Sequence, residues 1–401
     1  MATSEKWLLP EGIEEVLPEE ARRYERLRRQ LLDLLDTWGY ELVMPPLIEF
    51  LEGLLTGVGR DLDLQTFKIT DQKSGRLMGV RADITPQAAR IDAHYLKREA
   101  PTRLCYLGSV LKSRPGPFSG SREPLQLGAE LFGYRGAEGD AEVVELALAT
   151  LDRAGVGGLF VDLGHVGPFR ALICEANLSP DVALDLLGIL QRKATQELVA
   201  RVQELGLETG IARRLEALLE LHGPAAGVLA QARELLAGTS DLGAVLDELQ
   251  WVAERLSVRL GPDRVYVDLA ELQGYAYYTG FMFSVLVPGI GEPLANGGRY
   301  DDIGKTFGRG RAAVGFSVDL RRLLPRVPRA ATEEGGRIFA PPGADEELLR
   351  LVQTLRMQGE RVVRGLPGND AGAVALDCSR CIVRGPEGWM VTDSETGTEH
   401  G

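Results

Sequence analysis

Between Pro18 and Trp38 apolar residues recur every three or four positions. Leu27, Leu31, Leu34, Leu35 and Trp38 fall on one face, with arginines and glutamates opposite, so the spacing predicts an amphipathic helix. Gly39 ends it. "YELVMPPLIEF" reads as a strand stopped by Pro45 and Pro46. Residues 66–81 alternate around a Ser-Gly turn and predict a hairpin. "DITPQAARIDAHYLKRE" is helical by its period, with Pro86 placed for a first turn. "TRLCYLGSVL" and "EPLQLGAELFGY" read as strands joined by the polar, Gly/Pro/Ser-rich "KSRPGPFSGSR". "AEGDAEVVELALATLDRAG" follows as a helix and "LFVDLGHVG" as a strand.

From about residue 172 to 256 the chain turns Ala/Leu/Glu/Arg-rich with helical periodicity, broken at Pro180, Gly206, Gly223 and Gly238. This is a helical insertion. Strands return at "RVYVDLAEL", "YTGFMFSVLV" and "EPLANGGRY", and "AVGFSVDLRRLL" reads as a glycine-led turn into a helix. The core domain thus spans residues 1–325, residues 326–336 are a linker by composition, and residues 337–401 form a small α/β unit. The last residues, "SETGTEHG", are a polar tail expected to fray. Runs of strands with helices between them, interrupted by an all-helical insert, give an α+β class rather than a doubly wound sheet.

Composition narrows the function only a little. The 401 residues are 44% apolar and 26% charged, as in an ordinary soluble globular protein. A net charge of −13 argues against a nucleic-acid-tracking surface, which needs a basic stripe. No apolar run approaches the roughly 20 residues of a membrane helix, and "MATSEKWLLPEG" has no signal-peptide core, so the cytoplasm is the expected compartment. Of four cysteines, Cys378 and Cys381 form a lone C-x-x-C without further ligands at metal spacing, and they read as structural thiols in a strand. No cofactor or metal is expected. "GKTFGRGR" has its glycines misplaced for a phosphate loop and reads as a turn.

Four segments carry polar groups where a cleft or core is expected. Asp83 and Thr85 stand at a helix start, where capping is their ordinary role. Gln126, Gly128 and Glu130 share one face of a strand, and an unpaired carboxylate there is costly unless that face is solvated. Tyr277 and Tyr278 sit among β-formers, where core packing is the ordinary reading. Gly297 and Gly298 permit a turn or a close backbone approach.

Taken together these segments resemble a known family. Gly-x-x-Tyr-Tyr, Gly-Gly-Arg-Tyr-Asp and Ala-Val-Gly-Phe occur in this order, the last followed by an arginine-bearing helix. Upstream stand Arg-x-Asp-x-Thr and Gln-Leu-Gly-x-Glu. Over about residues 8–324 the chain resembles the class II histidyl-tRNA synthetases, helical insertion included. The resemblance implies a six-stranded antiparallel sheet flanked by helices and a self-dimer formed through the first helix–strand unit. It places Glu130 and Tyr277 on an imidazole, Gln126 near the ligand backbone and Asp83 and Thr85 on an α-ammonium, with Tyr278 completing the set. The chemistry agrees: a neutral imidazole offers one donor and one acceptor, which a carboxylate and a phenol satisfy.

The departures matter more. Lys112 stands where the second-motif arginine grips the ATP α-phosphate in the synthetases, and Gln273 where an arginine helps activate the amino acid. Arg322 matches the third-motif arginine, and the C-terminal unit is shorter than an anticodon-binding domain. The chain is also similar throughout, "RADITPQ" and "GYAYYTG" included, to the synthetase paralogues that are regulatory subunits of ATP phosphoribosyltransferase. That similarity implies no catalytic residues, L-histidine as effector and a separate short catalytic subunit as partner in a hetero-octamer. It also implies no tRNA and no membrane, and a role in the first step of histidine synthesis with feedback inhibition. The alternative is a divergent histidyl-tRNA synthetase.

Overall fold

The structure, a computed structural model, describes residues 7–56, 60–114, 121–275, 277–329, 336–368 and 372–394. The chain divides into two compact units, residues 1–332 and 333–401.

The first unit is built on a nine-stranded sheet. In chain order its strands are β1 (Glu41–Leu42), β5 (Thr102–Ser109), β6 (Leu125–Phe132), β7 (Phe160–His165), β8 (His222–Pro224), β9 (Val265–Asp268), β10 (Phe281–Leu286), β11 (Ala295–Arg299) and β12 (Ala313–Asp319). In space they run β1-β5-β6-β12-β11-β10-β7-β9-β8. The six from β5 to β7 are antiparallel throughout, as the family resemblance implies. β1 and β9 add parallel neighbours at the two flanks, and β8 closes the far edge. A separate three-stranded sheet holds β2 (Ile48–Phe50), β3 (Phe67–Thr70) and β4 (Leu77–Val80).

Alternation decides what each face of the large sheet does. Leu127, Ala129 and Leu131 of β6 and Val314, Phe316 and Val318 of β12 point into the main core. The helices Pro18–Thr37 and Ala137–Arg153 contribute to that core with Leu27, Leu31 and Leu35 and with Val143, Leu146, Ala147 and Leu151, all fully buried. Each such leucine or valine contributes about 1.5–3 kcal/mol. The intervening positions, Gln126, Gly128 and Glu130 on β6 and Gly315, Ser317 and Asp319 on β12, lie opposite one another on the other face.

Three elements differ from their local pattern. "AVGFSVD" is a strand and not a glycine-led turn. β12 pairs with β6 and β11 on both sides, and the helix after it is one α-turn, Leu320–Leu323, followed by a 3-10 turn over Leu324–Arg326. Here Gly315 is a clearing in a central strand, so tertiary pairing overrides the turn signal. "DITPQAARIDAHYLKRE" is an α-helix only over Thr85–Arg90 and widens to a π-helix over Ile91–Leu96. Its buried Asp92 pairs with Arg311 at 2.9 Å. The helical insertion is interrupted by β8, which pairs with β9 at the sheet edge.

The second unit is a four-stranded sheet in the order β14 (Val362–Arg364), β13 (Arg337–Ala340), β15 (Cys378–Gly385), β16 (Gly388–Asp393). The helix Glu346–Met357 packs on it through Leu348 and Val352, and its N-terminus is capped by Asp345, which accepts from Leu348 N at 3.0 Å. Cys378 and Cys381 are free thiols on β15, where a register shift between them sets Cys378 opposite Arg337 and Cys381 opposite Phe339. Residues 330–335 of the expected linker and the tail from residue 395 lie outside the described residues, while Val327 is still buried in the first unit's core.

Candidate functional site

On the polar face of the large sheet lies a cavity of about 480 Å³. Asp83, Thr85, Gln126, Glu130, Tyr277 and Tyr278 all line it, although they come from three distant stretches of the chain. β6, β11 and β12 provide its floor, and the helix start at Thr85 together with Gln273, Gly274, Tyr277 and Tyr278 provides its walls.

Glu130 lines the cavity and is almost wholly buried, 1% exposed. Tyr106 on β5 donates to its Oε1 at 2.9 Å, and Tyr300 donates to its Oε2. The Thr85 hydroxyl lies 2.8 Å from the Tyr106 hydroxyl, so Thr85, Tyr106 and Glu130 form a relay. Burial pushes the Glu130 carboxyl up to about 8, against the pull of the two phenols, and the charge of Asp83 adds to the rise. Burial and Glu130 likewise hold Tyr106 and Tyr300 well above the usual phenol range, so both stay protonated donors.

Asp83 serves two roles. It caps the helix start, its Oδ1 accepting from Thr85 N at 3.2 Å, and the same oxygen accepts from Gln126 Nε2 at 2.7 Å. Gln126 in turn accepts from Ile84 N at 3.0 Å. The amide of Gln126 is therefore committed to orienting Asp83. The capping role and a role in the cavity coexist in one carboxylate.

The tyrosine pair is held from behind. Arg170, on the helix Gly167–Glu175, donates to the carbonyls of Tyr275, Tyr278 and Thr279 at 3.0, 2.7 and 3.2 Å. Tyr277 stacks on Tyr300, with ring centroids 5.2 Å apart at 25°, and meets Tyr278 edge-on. The Tyr277 hydroxyl is buried and has no hydrogen-bond partner among the described residues. A buried hydroxyl without a partner costs about 1–3 kcal/mol.

The three residues that depart from or match the synthetase motifs, Lys112, Gln273 and Arg322, line the same cavity. Arg322 is committed: it pairs with Glu292 and donates to the Pro293 carbonyl at 3.2 Å. Beside it Asp319 accepts from Leu125 N and Arg321 N. Burial raises the Asp319 carboxyl, while those backbone donors, Arg322 and Lys112 work the other way.

Tyr106 and Tyr300 are the site residues that sequence patterning misses. A lone tyrosine in a strand reads as core, and in "ANGGRYDDIG" the glycine pair draws the attention. The available signal is parity: Tyr106 is directly opposite Gly128, on the face that carries Gln126 and Glu130.

Comparison with known proteins accords with this geometry. Residues 12–323 match the family described as "Histidyl-tRNA synthetase". Residues 335–392 match "ATP phosphoribosyltransferase subunit HisZ C-terminal domain". The chain is 54% identical over 398 residues to an "ATP phosphoribosyltransferase regulatory subunit" of Thioalkalivibrio sulfidiphilus, covering 98% of this chain and 100% of that one. It is 51% identical to the protein of the same name in Pseudomonas syringae pv. syringae, over 98% and 99% of the two chains. Among solved structures it is similar to an "ATP phosphoribosyltransferase regulatory subunit/histidyl-tRNA synthetase" from Bacillus halodurans, with 30% identity and a TM-score of 0.81 over 94% of this chain and 97% of that one. The fold is also that of a histidyl-tRNA synthetase from Nostoc, with a TM-score of 0.78 at 18% identity over 96% and 97% of the chains. With full-length identity at this level and a core of synthetase type, the chain belongs to the family of ATP phosphoribosyltransferase regulatory subunits.

Proposed function

We propose that this chain regulates a separate ATP phosphoribosyltransferase catalytic subunit and that its cavity takes L-histidine as the feedback signal. The observation that carries the reading is the Glu130 carboxyl held by two phenols at the floor of the cavity, near a Tyr277 hydroxyl that has no partner. An imidazole carries one N–H and one bare nitrogen, which Glu130 and Tyr277 would serve. Asp83, pre-oriented by Gln126, supplies a carboxylate for the α-ammonium, with Thr85 beside it. At about 480 Å³ the cavity is within the range of small-molecule sites and exceeds what one amino acid fills.

The same residues argue for binding without chemistry. Adenylate formation needs cations aimed at phosphate oxygens. Here Gln273 is neutral, Arg322 is neutralised by Glu292, and Lys112 offers a point charge where a planar fork would grip two oxygens. In this reading the chain is non-catalytic and binds no tRNA. It works in the cytoplasm as a self-dimer docked on catalytic subunits in a hetero-octamer. Exposed Ile48, Phe50 and Ile69, which share one face of the three-stranded sheet, give apolar surface of the kind a second copy would cover. Calorimetric titration with L-histidine, with other amino acids as controls, tests the proposal.

A further inference from the structure

The polar face of the large sheet continues past β10. There, towards the β7–β9–β8 edge, lies a second cavity of about 410 Å³ that shares no lining residue with the first. Phe160 and Asp162 of β7 and Tyr266 of β9 stand side by side in it, and the connection from Val287 to Ile290 adds an apolar rim. The Phe160 and Tyr266 rings are 5.9 Å apart and tilted by 56°, so together they form an angled aromatic wall. Asp162 is the one group there that is out of balance: its Oδ1 is buried and has no hydrogen-bond partner among the described residues.

Charge around Asp162 is also one-sided. The Asp268 and Glu271 carboxyls act on it from nearby, and Lys193 is the opposing ammonium. Lys193 is already paired with Asp268, whose other oxygen accepts from Ala270 N and Glu271 N. Arg264 lies over the Phe160 ring, 5.8 Å from its centroid, and His222 lines the cavity from β8. Three carboxyls thus face one committed ammonium, with the Arg264 guanidinium on the Phe160 side of the aromatic wall. That combination repels anions, and it suits a flat apolar body bearing a positively charged N–H group.

We propose that this second cavity is a binding site for a small organic cation, an amine or amidine on an aromatic or apolar body, with Asp162 accepting its N–H and Phe160 and Tyr266 holding the body. The site is independent of the histidine reading, because it shares no residue with it. A void of about 10 Å³ next to Asp162, walled also by Glu271 and Ser284, is at most the size of one water. Burial, reinforced by Asp268 and Glu271 and opposed by Lys193, holds the Asp162 carboxyl up at about 7. A cation binds the ionised form, so affinity rises as pH passes upward through 7 and then levels off.

The test uses the full chain and benzamidine as probe, with benzamide as its uncharged isostere, titrated by calorimetry at pH 8 and pH 6. Benzamidine should saturate one site per chain in the wild type and equally in Glu130→Gln. Its affinity should fall at least about tenfold in Asp162→Asn, severalfold in Tyr266→Leu, and severalfold from pH 8 to pH 6. Benzamide should bind at least about tenfold more weakly. Tyr266→Leu keeps the test open if Asp162→Asn does not fold. Three results would overturn the proposal. One is the absence of saturable benzamidine binding, with an ordered water as the only partner of Asp162. The second is affinity unchanged in both variants. The third is binding lost in Glu130→Gln, which would put the probe in the first cavity.

Discussion

The carboxyl group of Glu130 on β6 occupies the space that a β-carbon on its directly opposed neighbour, Gly315 of β12, would need. The glycine is therefore part of the site: it lets a carboxyl group fold back against a central strand. Gly315→Ala should destabilise the chain by about 1–3 kcal/mol, the usual cost of overpacking, and should abolish measurable histidine binding. Thermal unfolding and a histidine titration of the same preparation check this. Unchanged values in both would mean that Glu130 has room elsewhere.

Removing the carboxyl group itself is a cleaner probe of binding. Glu130→Ala should weaken histidine by roughly 1.5–3 kcal/mol, about 10- to 100-fold, because it leaves a buried imidazole N–H and the Tyr106 and Tyr300 hydroxyls without their acceptor. Tyr300→Phe should have a smaller effect of the same sign. It removes one donor to Glu130 while leaving the ring that stacks on Tyr277. Titrations of the two variants should rank wild type, Tyr300→Phe, Glu130→Ala in falling affinity.

Stability should peak in mildly acid solution. Burial raises Glu130 to about 8 and Asp162 to about 7, so the folded chain holds protons that the unfolded chain, with carboxyls near 4, has released. Their contribution is complete below about pH 4 and is lost as pH rises through 7 and 8. His165 works the other way. Burial, with Arg170 and Arg299 nearby, lowers it to about 4, so its contribution is present above about 6.5 and is lost as pH falls through 4. Because two carboxyls outweigh one histidine, urea unfolding between pH 4 and 9 should show stability highest near pH 4–5 and a decline of the order of a few kcal/mol by pH 9. A curve that rises steadily to pH 9 would show that these carboxyls ionise freely in the folded chain.

The Arg322–Glu292 pair should decide how the cavity treats phosphates. Wild-type protein should show no histidine-dependent pyrophosphate exchange with ATP. Glu292→Gln frees the guanidinium and should strengthen ATP binding severalfold while exchange stays absent, since Gln273 and Lys112 are unchanged. Exchange above background in the wild type would make the chain a synthetase.

Much of this was readable in advance, for physical reasons. The antiparallel core shows because β6, β7 and β10 alternate or run apolar at strand length, and Leu27, Leu31 and Leu35 keep helical spacing. Asp83, Glu130 and Tyr277 stand out because polar groups in such segments need a reason. β12 was hidden because Gly315 looks like a turn unless its partner Glu130 is known. Tyr106 and Tyr300 were hidden because their role depends on cross-strand register, which no local window contains. The commitment of Arg322 to Glu292 links residues 30 positions apart across a loop and two strands, so motif matching alone leaves that arginine looking available.

The central claim is that the cavity around Glu130 binds histidine and does no chemistry with it. Calorimetry with L-histidine tests it most directly, on wild type and Glu130→Ala, each alone and with the catalytic subunit added. The account predicts selective binding near one site per wild-type chain, weakened about 10- to 100-fold in the variant. Histidine binding of equal strength in the folded variant, or none to wild type in either setting, would contradict it.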